Sequence, residues 1–95
     1  MSDFDLREVE SVLRDRKAAR PDGSYSVTLM DDPERAARKI VEEAFEVSVE
    51  LMRPAVNHDR IVEEAADLVF HLLAGLAGAG IAFDDVLDEL KRRRS

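Results

Sequence analysis

The amino-acid sequence predicts an all-α protein, a small helical bundle built on an antiparallel helix hairpin. Three observations carry this reading. Apolar residues recur at spacings of three and four through most of the 95 residues, the period of helices that each bury one face. Charged residues make up 37% and aromatics 5%, a composition typical of amphipathic helices. The breakers Pro21, Gly23, Pro54 and Gly80 fall between the periodic stretches rather than inside them.

The first helix is expected over residues 3–18, with Leu6, Val9 and Leu13 on its apolar face. Pro21 and Gly23 end it. The segment SYSVTL then alternates Tyr25, Val27 and Leu29. It is β-prone but too short to make a sheet alone, so it reads as an extended connector. The second helix opens at Asp32-Pro33. Aspartate is a good N-cap, and proline suits the first helical position, where its missing N–H is not needed. Ala37, Ile40, Ala44, Val47 and Leu51 give this helix one apolar face before Pro54 stops it. Asp59 is the expected cap of a third helix from Arg60 to about Ala79, with Ile61, Ala65, Leu68 and Leu72 inward. A fourth helix, FDDVLDELKRRR, ends in a basic run that suits the negative end of its dipole.

At 95 residues the chain is expected to form one domain, 1–95, with a core thin enough that self-association would help it. Phe45, Val49 and Met52 form a second apolar face on the second helix. They suit a subunit interface, so the bundle is expected to be completed as a homodimer. There is no cysteine, which excludes disulfides, zinc–thiolate sites and thiol chemistry. No apolar run approaches the ~20 residues that span a bilayer, and the acidic start MSDFDLREVE has no signal-peptide character. The cytoplasm is the expected compartment, with no membrane partner. A net charge of −7 argues against nucleic-acid binding. An acidic protein can still hold a polyanion through a divalent cation.

The phrase IVEEA occurs twice, as Ile40–Ala44 and Ile61–Ala65, each followed by a further acid, Glu46 or Asp67. A helix turns ~100° per residue. Lys39, Glu43, Glu46 and Glu50 therefore share one stripe, and Arg60, Glu64, Asp67 and His71 share the matching stripe on the next helix. Glu42 and Glu63 flank the stripes toward solvent. The short turn predicts an antiparallel hairpin. Counting from Arg53 and Arg60 puts Glu46 level with Asp67, Glu43 with His71, and Glu50 with Glu64. If the stripes face one another, carboxylates converge and repel, and a hard divalent cation such as Mg²⁺ removes the conflict. Arg35, Lys39 and Arg60 stand near helix N-termini, against the helix dipole, as cations placed to meet an anion. Gly75 and Gly78 continue the His71 stripe and leave room for a ligand or a close helix contact. Spacing alone is also met by plainer arrangements. Solvated stripes with ordinary i,i+4 partners are the commoner use of such acids and cations. A lone histidine is more often a polar edge residue, and such glycines more often pack helices.

The segments PDGSYSVTL, KIVEEAFEV, VEEAADLVFHLL and GIAFDDVLDEL stand in the order and spacing of a known family. Over residues 4–94 the chain resembles phosphoribosyl-ATP pyrophosphatase, of the all-α nucleoside triphosphate pyrophosphohydrolase (MazG-like) superfamily. The acid pairs are shared across that superfamily, whereas GSYS and EEAADLVFH are specific. The resemblance implies an all-α dimer requiring Mg²⁺. It implies hydrolysis of 1-(5-phosphoribosyl)-ATP between the α and β phosphorus, the second step of histidine biosynthesis. By the same resemblance the EExxE motif falls on Glu42, Glu43 and Glu46, and ExxD on Glu64 and Asp67. These are the implied metal ligands or their neighbours, with Glu43, Glu46, Glu64 and Asp67 catalytic. Lys39 is the implied phosphate contact, and Arg35, Arg60 and His71 are further candidates for it. Phe70 replaces the family's usual tyrosine, which removes a hydroxyl there; Val41 and Ala82 also depart from the pattern. Cyclohydrolase motifs fused to this enzyme in some organisms are not found, so the chain is expected to act alone. The rival readings are a related (d)NTP pyrophosphohydrolase and a non-catalytic helical dimerisation module.

Overall fold

The computed structural model describes residues 4–94. It contains helices α1 (Leu6–Ala19), α2 (Tyr25–Asp31), α3 (Pro33–Leu51), α4 (His58–Gly78) and α5 (Phe83–Arg93), with no strand among the described residues. Asp3, the expected start of the first helix, lies outside the described residues. The helix begins at Leu6, where the Asp5 carboxylate accepts the N–H groups of Arg7 and Glu8.

The expected connector at SYSVTL is instead the helix α2. The Ser24 hydroxyl accepts the Val27 N–H at 3.3 Å and starts it. Ser26, Leu29 and Met30 are buried, a three-and-four spacing that the alternating reading overlooked. Burial of that face outweighs the β-propensity of Tyr25, Val27 and Thr28. Asp32 and Pro33 start α3 as expected, with the Arg35 N–H donating to the Asp32 carboxylate at 3.1 Å. The cap of α4 is Asn57 rather than Asp59, its side-chain oxygen accepting the Arg60 N–H at 3.2 Å. Ala82 gives α5 no side-chain cap. Glu10 of α1 fills that role from a distance, its carboxylate accepting the Phe83 N–H at 2.6 Å.

The core joins Leu13 of α1, Leu29 and Met30 of α2, and Leu73, Ala74 and Ala77 of α4, with Val9, Val69, Phe70 and Phe83 packed against it. It therefore sits at the end of the hairpin remote from the α3–α4 turn. Gly78 makes this packing possible: a Cβ there would lie 2.7 Å from the Met30 carbonyl oxygen. Gly75 faces Ile40 Cδ1 at 3.3 Å and Ala36 Cβ at 3.7 Å. Both glycines serve helix packing.

The helix faces differ from expectation in rotation. On α3 the buried residues are Ala36, Glu43 and Glu50; of the expected face Ile40, Ala44 and Val47 are half-buried, whereas Ala37 is exposed and Leu51 is 59% exposed. On α4 they are His71, Leu73, Ala74 and Ala77, while Leu72 is exposed and Ile61, Ala65 and Leu68 are half-buried. Helix α4 spends one apolar side on α1 and α2, so the acidic stripe of α3 turns inward to meet the polar stripe of α4. Val41 in the middle of α3, and Phe45, Leu51, Met52, Val56 and Val62 toward the turn, are left exposed.

Candidate metal centre

The two stripes do face one another. Glu43, Glu64 and Asp67 each offer an oxygen, and these oxygens lie within 4.8 Å of one another. Glu46 stands against both Glu43 and Glu64. The pairing slips by about one turn from the expected register. Glu43 meets Asp67 and Glu64 rather than His71. Glu46 meets Glu64, and Glu50 meets Arg60. The cause is the turn: α3 stops at Leu51 and α4 starts at His58, so counting from Arg53 and Arg60 misplaced the apex of the hairpin.

Glu43 is buried, at 6% exposure. Burial pushes its carboxyl above the usual range, and nearby Glu46 and Asp67 add to the effect. Lys39, 3.6 Å away, opposes it. Glu64 is pushed up to about 7, first by the adjacent Glu46, then by burial and by Glu43, against the opposing Arg60. One oxygen of each, Oε2 of Glu43 and Oε2 of Glu64, is buried with no hydrogen-bond partner. Unpaired buried acceptors among like charges are costly to a protein left as it stands. A hard divalent cation that takes oxygen ligands and keeps water in its shell answers both problems. The donor set therefore fits Mg²⁺, with Glu43, Glu64 and Asp67 as the residues to hold it.

The other expected residues are placed differently. Glu42 is on the outside of α3, 3.3 Å from Lys39, and is not among the converging oxygens. Lys39 bridges Glu42 and Glu43. Arg35 lies with Arg38 and Lys39 around an open depression of about 520 Å³ on the outer side of α3. Arg60 is held between Glu50 at 3.5 Å and Glu64 at 3.7 Å. His71 is buried, its Nδ1 2.7 Å from the Asp67 carbonyl oxygen and its Nε2 2.9 Å from the Tyr25 hydroxyl.

Two residues have roles at the site that the sequence does not reveal. Glu50 is 3% exposed and paired with Arg53 at 3.0 Å as well as with Arg60. Arg53 chiefly holds its carboxyl below the usual range. It anchors the arginine that flanks Glu64. Its signal was present, since it continues the Glu43–Glu46 stripe. Tyr25 was hidden by the extended reading of its segment. Beyond the cluster, a groove of about 250 Å³ is lined by Glu46, Glu50, Arg60 and Glu64 together with Phe45 and Val49.

Comparison with known proteins identifies the family. The family model described as phosphoribosyl-ATP pyrophosphohydrolase matches residues 6–94. A phosphoribosyl-ATP pyrophosphatase of Methanopyrus kandleri is 45% identical, covering 94% of this chain and 93% of its own. One from Methylobacterium nodulans is 42% identical, covering 98% and 86%. The histidine biosynthesis bifunctional protein HisIE of Bacillus subtilis is 37% identical over 95% of this chain, which spans 43% of that protein.

Proposed function

The chain belongs to the phosphoribosyl-ATP pyrophosphohydrolase family, and we propose that its acid cluster hydrolyses 1-(5-phosphoribosyl)-ATP to 1-(5-phosphoribosyl)-AMP and pyrophosphate. The observation that carries the assignment of the site is the meeting of Glu43, Glu64 and Asp67, with two buried oxygens lacking partners. A dimerisation module would have no use for that conflict of charge.

Bound Mg²⁺ would supply neutralisation of the triphosphate and of charge developing on the pyrophosphate. The remaining work falls to this chain. Glu43, Glu64 and Asp67 hold the cation. Glu46 stands outside that set and beside it, where it can accept the proton of an attacking water. Lys39, already the cation nearest Glu43, and Arg35 one turn before it meet phosphate oxygens. Arg60, fixed by Glu50, screens Glu64 and borders the groove from the turn side.

We read residues 1–95 as one domain acting as a homodimer. Exposed Phe45 and Met52 support this, as does the groove that Phe45 and Val49 share with the acids, so a second copy would close over the edge of the site. A charged nucleotide substrate, which does not cross a bilayer unaided, supports the cytoplasm as the compartment we propose. Among the described residues no single helix is long and apolar enough to cross a membrane.

The test is product analysis with phosphoribosyl-ATP and a panel of ordinary and deoxynucleoside triphosphates, with and without Mg²⁺. Phosphoribosyl-AMP and pyrophosphate should form only from phosphoribosyl-ATP and only with the cation. Faster turnover of a deoxynucleotide would assign the chain to the related housekeeping hydrolases instead.

A further inference from the structure

We propose that Tyr25 is a positioning residue of this site and acts through His71. The carbonyl oxygen of Asp67 can only accept, so the His71 Nδ1 that lies 2.7 Å from it carries the proton. In the neutral ring Nε2 is then an acceptor, and the Tyr25 hydroxyl donates to it at 2.9 Å. Both ring nitrogens are thus committed. The buried imidazole also packs edge-on against two aromatic rings, Tyr25 at 5.9 Å and Phe70 at 5.3 Å between centroids, which stack on one another at 6.5 Å.

The residue at the far end of this chain of bonds is Asp67, whose carboxylate joins Glu43 and Glu64. Tyr25 is the first residue of α2, an element that otherwise contributes nothing to the acid cluster. Its hydroxyl therefore ties the placement of α2 to the turn of α4 that carries Asp67. Lys39 of α3 also lies near enough to Tyr25 for the two to interact electrostatically. At 48% exposure Tyr25 adds little to the core, which leaves orientation of His71 as the use of its hydroxyl.

The inference rests on the function proposed above for its kinetic arm only. Tyr25→Phe keeps the ring and removes the bond. Loss of a hydrogen bond that orients a site residue typically costs about ten- to a hundredfold in activity. We expect a loss of that order in kcat for phosphoribosyl-ATP, with KM changed less than about twofold and a small fall in melting temperature from the unpaired Nε2. In a His71→Asn background the same change should cost nothing more, because the path through the ring is already cut. Losses that multiply in the double variant would mean that Tyr25 touches substrate directly, and would overturn the proposal. The His71 ring ¹⁵N resonances test it without substrate. They should report a protonated Nδ1 in both proteins, held by the Asp67 carbonyl, with the unprotonated Nε2 resonance displaced in Tyr25→Phe by loss of the donated hydrogen bond. Unchanged resonances would overturn the inference, whereas an inactive parent with shifted resonances would overturn only the assigned reaction.

Discussion

Glu64 concentrates the electrostatics of the site in one side chain. Its carboxyl is pushed up to about 7 from an ordinary 4.5, so between those values the folded chain holds a proton that the unfolded chain has released. Its contribution to stability is present below about 4.5 and lost as pH rises through about 7. Glu43 shifts in the same direction. Glu50 shifts in the opposite one, its contribution lost only as pH falls below the usual carboxylate range. Metal-free protein should therefore melt at progressively lower temperature as pH is raised from 5 toward 8, and saturating Mg²⁺ should flatten that decline by replacing the protons. Thermal melts across this range with chelator or with Mg²⁺ check it, and a metal-free melting temperature that rises with pH contradicts it. The identities of the acids were legible in the sequence because chemistry and helical spacing are local properties. The partners of Glu50 and Tyr25 were not, because each depends on where another helix lies. The sequence showed Phe70 as a missing hydroxyl, whereas Tyr25 brings a hydroxyl from α2 to the neighbouring His71.

Between helices, a two-residue misreading of each end of the α3–α4 turn moved the pairing by about one turn, although both stripes were read correctly. Register follows the real helix ends, and these were set by Asn57 and by the stop at Leu51 rather than by Asp59 and Pro54. Helix α2 was missed because Ser26, Leu29 and Met30 pattern a single short face that alternation at Tyr25, Val27 and Leu29 imitates. The glycines of α4 give a test of the helix packing. Relative to glycine, alanine favours a helix interior by about 1 kcal/mol. Gly78→Ala should nevertheless destabilise, because its Cβ meets Met30 backbone at 2.7 Å and α2 would have to move away. Gly75→Ala meets only the end of the Ile40 side chain at 3.3 Å, and should be neutral or mildly stabilising. Denaturant melts of the two variants separate them, and equal stability would show that α2 and α4 are not packed this closely.

At the scale of the whole molecule, the core is gathered at one end of the hairpin and the acids occupy the middle. The turn end keeps Phe45, Met52 and Val62 in solvent, at 68%, 75% and 52% exposure. An apolar face of this kind, beside a polar groove, fits an isologous contact with a second copy. Val49→Glu should then give monomers or aggregates in sedimentation experiments, and an undisturbed dimer would exclude this face. The all-helical class and the hairpin were readable from periodicity. The rotation of α3 that buries acids in place of Leu51 was not, because it follows from how α1 and α2 divide the surface of α4. The central claim is that Glu43, Glu64 and Asp67 form one working site. Its most direct test is turnover of phosphoribosyl-ATP with Mg²⁺ by Asp67→Asn beside Glu63→Gln, an exposed acid outside the cluster. Asp67→Asn should lose at least about a hundredfold in kcat/KM while Glu63→Gln stays within about twofold of the parent; near-parental turnover by Asp67→Asn would contradict the account.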